Sequence, residues 1–405
     1  MRTGVLALGI AVGVAACGPT LAQVVPVVSN QRELSIKPNL NVSYDTNVSR
    51  TQESIARLRG IHPEDEIVNP SVLFEVVQPI GRNAAFLQGF AGYDFHAENR
   101  VLNHVNTDVS GGGLIATGPC HTTAFGEFAA VQTDLQNAAL TVTKNLSQTS
   151  TGGGQIVCGL QQGFNAQLQG MHTVVVNSAH VQKLADRRGD GITLQVGYGN
   201  NTLGNFGLVG TYSQQEYPDR QNFDGTFGDS YWSELLGVNY QKQLGSKIKV
   251  QAQVGENIIK RSSAPPGVPL KIRDTNYAAL IDYKMSSRLE FLLQAQRQFQ
   301  PSNSPGKLVD LVTRVDGSGA YSLGTRIIVT LAGFWEDLRS NQDTSPNALP
   351  VITRSRRTGE SVSFRYHQSA RLTEILDVRH EERETDLPQF NYVDTRVMLT
   401  LSSSF

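Results

Sequence analysis

Cys17, Cys120 and Cys158 are the only cysteines in 405 residues, and thiols offer the most versatile chemistry in this chain. Cys120 and Cys158 have only His121 close by in sequence, too few ligands for a structural zinc site. A disulfide between them suits an exported chain, which folds in an oxidising compartment. The alternative is two thiols whose Cα atoms lie beyond the ~7 Å that a disulfide can bridge. Nucleophilic catalysis finds less support. Asp316-Gly317-Ser318-Gly319 is not a Gly-x-Ser-x-Gly elbow, and His380-Glu381-Glu382-Arg383-Glu384 lacks the second His of a zinc protease helix. His367 and His380 read as solvated rim or wall residues. A barrel hydrolase can still assemble Ser, His and an acid from separate strands, so a surface hydrolase stays open as a minor reading. The expectation is no enzyme, no cofactor and no metal.

The remaining candidates are charged and amide side chains at alternate positions. Lys37, Asn39, Asn41, Lys249, Gln251, Gln253, Asp282, Glu290, Gln294, Gln296, Arg365, Asp377, Arg379, Asp394 and Arg396 each fall on the polar parity of an alternating segment. Neutral amides mixed with both signs of charge suit sugars or small polar solutes lining a channel. The same set also suits a salt-bridged wall that stiffens a barrel. Arg365, Asp377, Arg379, Asp394 and Arg396 come from the last three alternating segments and can form one cross-strand ladder, structural or permeative.

Elements of period two must position these residues. Ile248, Val250, Ala252 and Val254 alternate with Lys249, Gln251 and Gln253; Ile192, Leu194, Val196 and Tyr198 alternate with Thr193, Gln195 and Gly197. Leu289, Phe291, Leu293 and Ala295 continue the pattern, with Leu292 the exception. Successive strand side chains point to opposite faces, so each segment has one apolar and one polar face. Several segments end in Tyr, cross a tight polar turn and restart: Tyr198, Tyr240, Tyr283, Tyr321 and Tyr366 each precede such a turn. Turn centres near 81, 120, 160, 199, 245, 286, 324 and 369 recur about every 40 residues, which fits two strands of ~10 residues, one short turn and one long loop. Pro218 to Gly228, Ser262 to Asp274, Gln300 to Gly306 and Ser340 to Arg357 have loop composition. Eight tight turns imply nine hairpins and 18 antiparallel strands, with 16 as the next count, in a single up-and-down barrel. Short turns would face the periplasm and long loops the outside, with Tyr forming a belt where lipid meets water.

The ends agree with export. Arg2, the apolar run Val5 to Ala16, and Thr20-Leu21-Ala22 read as a signal peptide over residues 1–22, cut after Ala22, leaving a barrel over 23–405. Lipidation at Cys17, after Val14-Ala15-Ala16, is the alternative. The rest of the chain has no apolar run near the ~18 residues of a spanning helix. Val393, Val397, Leu399, Leu401 and Phe405 share one parity, and an aromatic last residue on an apolar strand reads as an outer-membrane assembly signal. The expected surroundings are therefore outer-membrane lipid and the barrel-assembly machinery. With 35 Lys and Arg against 36 Asp and Glu, nothing favours a nucleic-acid partner.

The opening resembles a known family. Asn39-Leu40-Asn41-Val42-Ser43-Tyr44-Asp45-Thr46-Asn47 is a strand ending in Tyr-Asp-x-Asn, followed by a hairpin from Pro70-Ser71-Val72-Leu73-Phe74 through Pro79-Ile80-Gly81-Arg82 to Tyr93-Asp94-Phe95. This is similar to porin-like barrels associated with exopolysaccharide operons of Gram-negative bacteria. The motif covers about the first 80 residues after the signal. The resemblance implies an outer-membrane location and a link to polysaccharide secretion or assembly, with polysaccharide and periplasmic export proteins as partners. It supplies no catalytic residues. A non-transporting scaffold barrel that docks periplasmic assembly proteins is the second reading.

Overall fold

The structure is a computed structural model that describes residues 32–133, 144–159, 162–221, 225–264, 269–302, 307, 309–340 and 352–404. The signal segment, Cys17 and Phe405 lie outside the described residues. Among those described, period-two segments form 18 strands. In chain order they are β1 Glu33–Asp45, β2 Asp65–Ile80, β3 Asn83–His96, β4 His104–Thr117, β5 Cys120–Gln132, β6 Leu146–Gly159, β7 Gly163–Asn177, β8 Arg187–Asn200 and β9 Gly204–Gln221. The second half continues with β10 Phe227–Leu244, β11 Ile248–Arg261, β12 Lys271–Lys284, β13 Leu289–Pro301, β14 Val309–Leu323, β15 Ile327–Ser340, β16 Arg354–His367, β17 Leu372–Thr385 and β18 Tyr392–Ser403.

Each strand pairs antiparallel with its neighbours in sequence, and β1 pairs with both β2 and β18. The sheet therefore closes into a barrel and leaves no free edge at the seam. Closure is what lipid demands of strands, because an unpaired backbone group in hydrocarbon costs several kcal/mol.

Cross-strand partners face the same side, so register assigns every residue to the wall's inner or outer face. On β1, Leu34, Ile36, Leu40 and Val42 are exposed on the outer face, while Ser43 and Asp45 are buried on the inner face. The outer face stays apolar for roughly eight to ten residues above the short turns and then becomes charged. His172 pairs with Asp190, Lys260 with Glu234, and Arg273 with Glu256, all on the outer face. At ~3.3 Å per residue and a tilt near 40°, this gives an apolar band about 25 Å tall, the height of a lipid-facing girdle. Tyr198, Tyr240, Tyr283, Tyr321 and Tyr366 sit on the outer face at its lower margin. Phe164 and Phe206 join them by ring contacts with Tyr198 and Tyr240. A closed 18-stranded barrel with this girdle is an outer-membrane barrel, and the chain resides in the bacterial outer membrane.

Two glycine-rich stretches that blur the alternation are ordinary strand. Ser110-Gly111-Gly112-Gly113 lies in β4 and Thr151-Gly152-Gly153-Gly154 in β6. Lumen-side phenylalanines supply the missing bulk. A Cβ on Gly112 would come within 2.9 Å of the Phe86 ring, and one on Gly153 within 2.9 Å of the Phe125 ring. Here an aromatic ring from the adjacent strand covers the glycine.

All four expected loops are too long. Pro218 to Gln221 belong to β9, Lys271 to Asp274 to β12, Gln300 and Pro301 to β13, and Arg354 to Arg357 to β16. These hairpins continue above the apolar band, where both faces meet water. Strand residues there need no apolar parity, and their composition imitates a loop.

The long connections fold over one rim. Residues 46–64 contain the helix α1, Glu53–Leu58, which buries Ile55 and Ala56. Ile61 from this loop meets Leu102 from the β3–β4 loop, with Ala179 and Val181 of the β7–β8 loop packed against them. Burial of the Arg59 guanidinium, just past α1, pushes its pKa down to about 10, so it remains charged at neutral pH.

Candidate solute pathway

Besides Lys37 of β1, eight further charged residues are marked by parity in the sequence, and all nine lie on the inner face. Lys249 of β11 is opposite Asp282 of β12, and Glu290 of β13 faces Lys284 close to the short turns. Arg365 is on β16; Asp377 and Arg379 are on β17; Asp394 and Arg396 are on β18. Arg379 is directly opposite Arg396. Lys249, Asp282 and Glu290 occupy a separate sector of the wall from the last five, so they do not form one site.

The charged sector of β14 to β18 is organised around residues that parity alone does not single out. Arg314 binds Asp316 at 2.6 Å and Glu336 at 3.1 Å. Glu336 also meets Arg357 at 3.4 Å, and Arg357 reaches Glu381 at 2.7 Å. The fully buried Glu381 carboxylate further accepts from Arg379 at 2.5 Å and from the Tyr392 hydroxyl at 2.6 Å. The ring of Phe334 lies under this belt, with the guanidinium carbons of Arg314, Arg379 and Arg357 at 4.6, 5.5 and 5.7 Å from its centroid. Arginine suits such a belt because its planar fork serves two carboxylates and stacks on a ring at once.

Arg50 ties the first loop to the belt. Its guanidinium meets Asp394 at 3.2 Å and Asp45 at 3.5 Å, and lies 4.0 Å from Glu381. Ser49 and Thr51 beside it are buried. Arg396 donates to the Ser43 hydroxyl at 3.1 Å. Of the expected ladder, Arg379 enters the network through Glu381 on its own strand, and Asp394 through Arg50 of the first loop. Among the described residues Arg365 and Asp377 form no ion pair with each other, and the two sit closer to the short turns.

The opposite sector is neutral. Below Arg187, Asp229 and Arg261 at the long-loop rim, and above Lys249, the inner faces of β6 to β11 carry no charge among the described residues. Gln155, Gln167, Gln169, Gln195, Gln253 and Asn257 supply amides there, and Thr151, Thr173, Thr193, Thr211, Ser213 and Ser233 supply hydroxyls. Thr151 meets Thr173 at 3.3 Å and Thr193 meets Thr211 at 3.1 Å. A cavity opens between this field and an apolar border formed by Tyr231, Leu235, Ile259, Phe299 and Pro301. Between the two sectors, β4 and β5 place Asp108 and Glu127 on the inner face.

The loops add two perturbed groups. Burial pushes the Asp186 carboxyl up, opposed by hydrogen bonds from Asn177. Burial also lowers the pKa of the Lys307 amine, which donates to the Ser340 hydroxyl at 3.0 Å and to the Ile352 carbonyl.

Cys120 and Cys158 are opposite each other on β5 and β6, on the outer face at the short-turn rim. They are joined by a disulfide with Cα atoms 4.0 Å apart. His367 faces inward and contacts Thr373, while His380 is exposed on the outer face and contacts Thr395. Among the described residues no group of three or more His, Cys, Asp or Glu is placed to hold a metal ion.

No protein-family model matches the chain, and no curated protein matches it in sequence. Solved structures match in fold. OccK2 (OpdF) of Pseudomonas aeruginosa, in complex with glucuronate, aligns over 93% of this chain and 98% of its own at a TM-score of 0.50 and 10% identity. A BenF-like porin of Pseudomonas fluorescens Pf-5 aligns over 93% and 100% at a TM-score of 0.50 and 11% identity. The FrpB iron transporter of Neisseria meningitidis aligns over 88% of this chain and 62% of its own at a TM-score of 0.50 and 7% identity. At such identities the likeness is one of fold: this chain shares the closed antiparallel barrel of outer-membrane porins and transporters.

Proposed function

We propose that this barrel is a porin-like conduit for polar, hydroxyl-rich solutes, with saccharides, including segments of an exopolysaccharide, as the favoured class. The observation that carries this reading is the two-sided lumen. An amide and hydroxyl field on β6 to β11 can exchange hydrogen bonds with sugar hydroxyls without a charge to desolvate. The apolar border of Tyr231, Ile259 and Phe299 can take the C–H faces of a ring. Across the lumen, the belt on β14 to β18 holds arginines whose carboxylate partners already neutralise them, so it offers oriented donors more than net charge. The sugar link also draws on the resemblance of the opening strands to exopolysaccharide-associated barrels. The glucuronate bound by one fold neighbour is compatible with it.

The test is solute flux into proteoliposomes, with neutral maltooligosaccharides, uronates and simple amino acids compared at equal size. Faster entry of the saccharides supports the reading. Equal exclusion of all three, with no ion conductance in planar bilayers, overturns it. That outcome would favour the scaffold reading, for which the packing of Ile61, Leu102 and Val181 across three loops speaks. Loss of a measured hydrolytic activity on replacing an inward Ser would instead support the surface-hydrolase reading.

A further inference from the structure

One seam of the barrel is incomplete. The β12–β13 ladder runs from Lys284 opposite Glu290 only as far as Tyr277 opposite Arg297. On their other sides, β12 stays paired to Lys271 and β13 to Pro301. Above Tyr277 the two strands part, and Phe299 enters a buried cluster with Tyr217, Tyr231 and Ile259. Tyr231 and Ile259 are on the inner faces of β10 and β11, whereas Phe299 shares the outer parity of Leu293 on β13. An outer residue of β13 can touch inner residues of β10 and β11 only if β13 has slid inside their wall. Two further contacts agree. Ile272, on the inner face of β12, packs against the same cluster. Arg297, of outer parity on β13, reaches Asp274, of inner parity on β12, at 2.6 Å. The upper ends of β13 and β14 thus form an inner layer, and Phe299 and Pro301 border the amide-lined cavity.

We propose that this inner layer is a hinged gate over the cavity, tucked in this structure and able to zip back into the wall. Its role as a gate rests on the passage reading above; its motion does not. Zipping would simply continue the existing register, setting Gln298 opposite Asn276, Phe299 opposite Thr275 and Gln300 opposite Asp274. The tucked seat leaves β12 above Tyr277 without a ladder partner on that side among the described residues, and such an edge is adhesive. It also leaves Asn276 Oδ1 buried with no hydrogen-bond partner, where zipping would bring the Gln298 amide alongside. Against this stands the apolar cluster, which loses Phe299 on zipping. In the zipped seat Phe299 would face outward, about ten residues above the short turn, where an aromatic ring suits the membrane interface. Each seat satisfies groups that the other leaves wanting, and this is the condition for a two-state element.

Paired cysteines separate the seats. Tyr231→Cys with Phe299→Cys should cross-link the tucked seat, and Thr275→Cys with Phe299→Cys the zipped one. Asn276→Cys with Gln298→Cys probes the zipped seat again while keeping Phe299. Each variant is tested as the full barrel in membranes, after heat-modifiability has shown that it assembled. The expected result is that both kinds of pair cross-link, and that conductance falls with the tucked bond and rises with the zipped one. Failure of both zipped pairs to cross-link, while the tucked pair does, overturns the gate and leaves the passage reading standing. Cross-linking of both seats in a barrel that never conducts keeps the motion and removes the passage reading. Cross-linking of both with unchanged conductance in a conducting barrel overturns the gate.

Discussion

Leu293 and Gln294 are neighbours in sequence and face opposite solvents. Leu293 is 49% exposed on the outer face, opposite Ile281 and Gly317, whereas Gln294 faces inward, opposite Leu280 and Asp316. Leu293→Arg would set a cation against hydrocarbon, at about 2–4 kcal/mol near the midplane. Gln294→Arg would set the same cation in the lumen, close to Asp316. The expected outcome is poor assembly of the first variant, and assembly with altered ion selectivity in the second, read by heat-modifiability on gels and by reversal potentials. Normal assembly of both variants would mean that this segment does not meet lipid. Glu381 is the other decisive residue. It is the shared counter-charge of Arg357 and Arg379 and the acceptor of Tyr392. Glu381→Ala strands those arginines, at about 3 kcal/mol, the lower end for a buried pair cut on one side. It should lower the thermal unfolding midpoint and shift selectivity toward anions. Glu381→Gln should restore part of the stability through the Tyr392 bond and none of the charge.

Strand pairing carries the next level of consequence. Cys120 and Cys158 start and end adjacent strands, and the cross-strand register of β5 and β6 sets them opposite each other. Peptide mapping of unreduced protein should recover the two peptides linked; alkylation of both thiols without reductant would refute the bond. Replacing either by Ser should cost about 2–4 kcal/mol, since the bond closes a long loop. The same register explains why the sequence misjudged four loops. Above the lipid band a hairpin needs no apolar parity on either face, so Lys271 to Asp274 and Arg354 to Arg357 read as loop although both are paired. It also explains how the glycine runs in β4 and β6 remain strand, because Phe86 and Phe125 cover Gly112 and Gly153 from neighbouring strands.

At the scale of the whole molecule, closure decides behaviour. A barrel with every strand paired on both sides unfolds only when many ladders part together, so it should resist SDS until heated. The expected result is recovery in the outer-membrane fraction, β-sheet circular dichroism in detergent and a gel shift on boiling. A mainly helical spectrum, or recovery in the soluble periplasmic fraction, would overturn the fold and location together.

The sequence alone determined the strand number, the two rims, the aromatic margin and the inward parity of Lys249, Asp282, Glu290 and Arg379. Those features follow from period two and from turn chemistry, which are local. It also brought Cys120 and Cys158 to one rim, because a hairpin's ends are set by counting. Only the tertiary structure decided which inward groups meet. Glu381 appeared in sequence merely as part of an incomplete zinc motif, and Arg50 drew no notice there, yet they join across β1, β17 and β18 through the closing seam. Arg314 and Arg357 meet at Glu336 and Phe334 only because the register of β14, β15 and β16 sets them level. The slide of β13 inside β10 and β11 has no signature in alternation, since Phe299 keeps its outer parity and changes only what lies outside it. Parity is a property of one strand; contact across a lumen depends on the relative height and curvature of many.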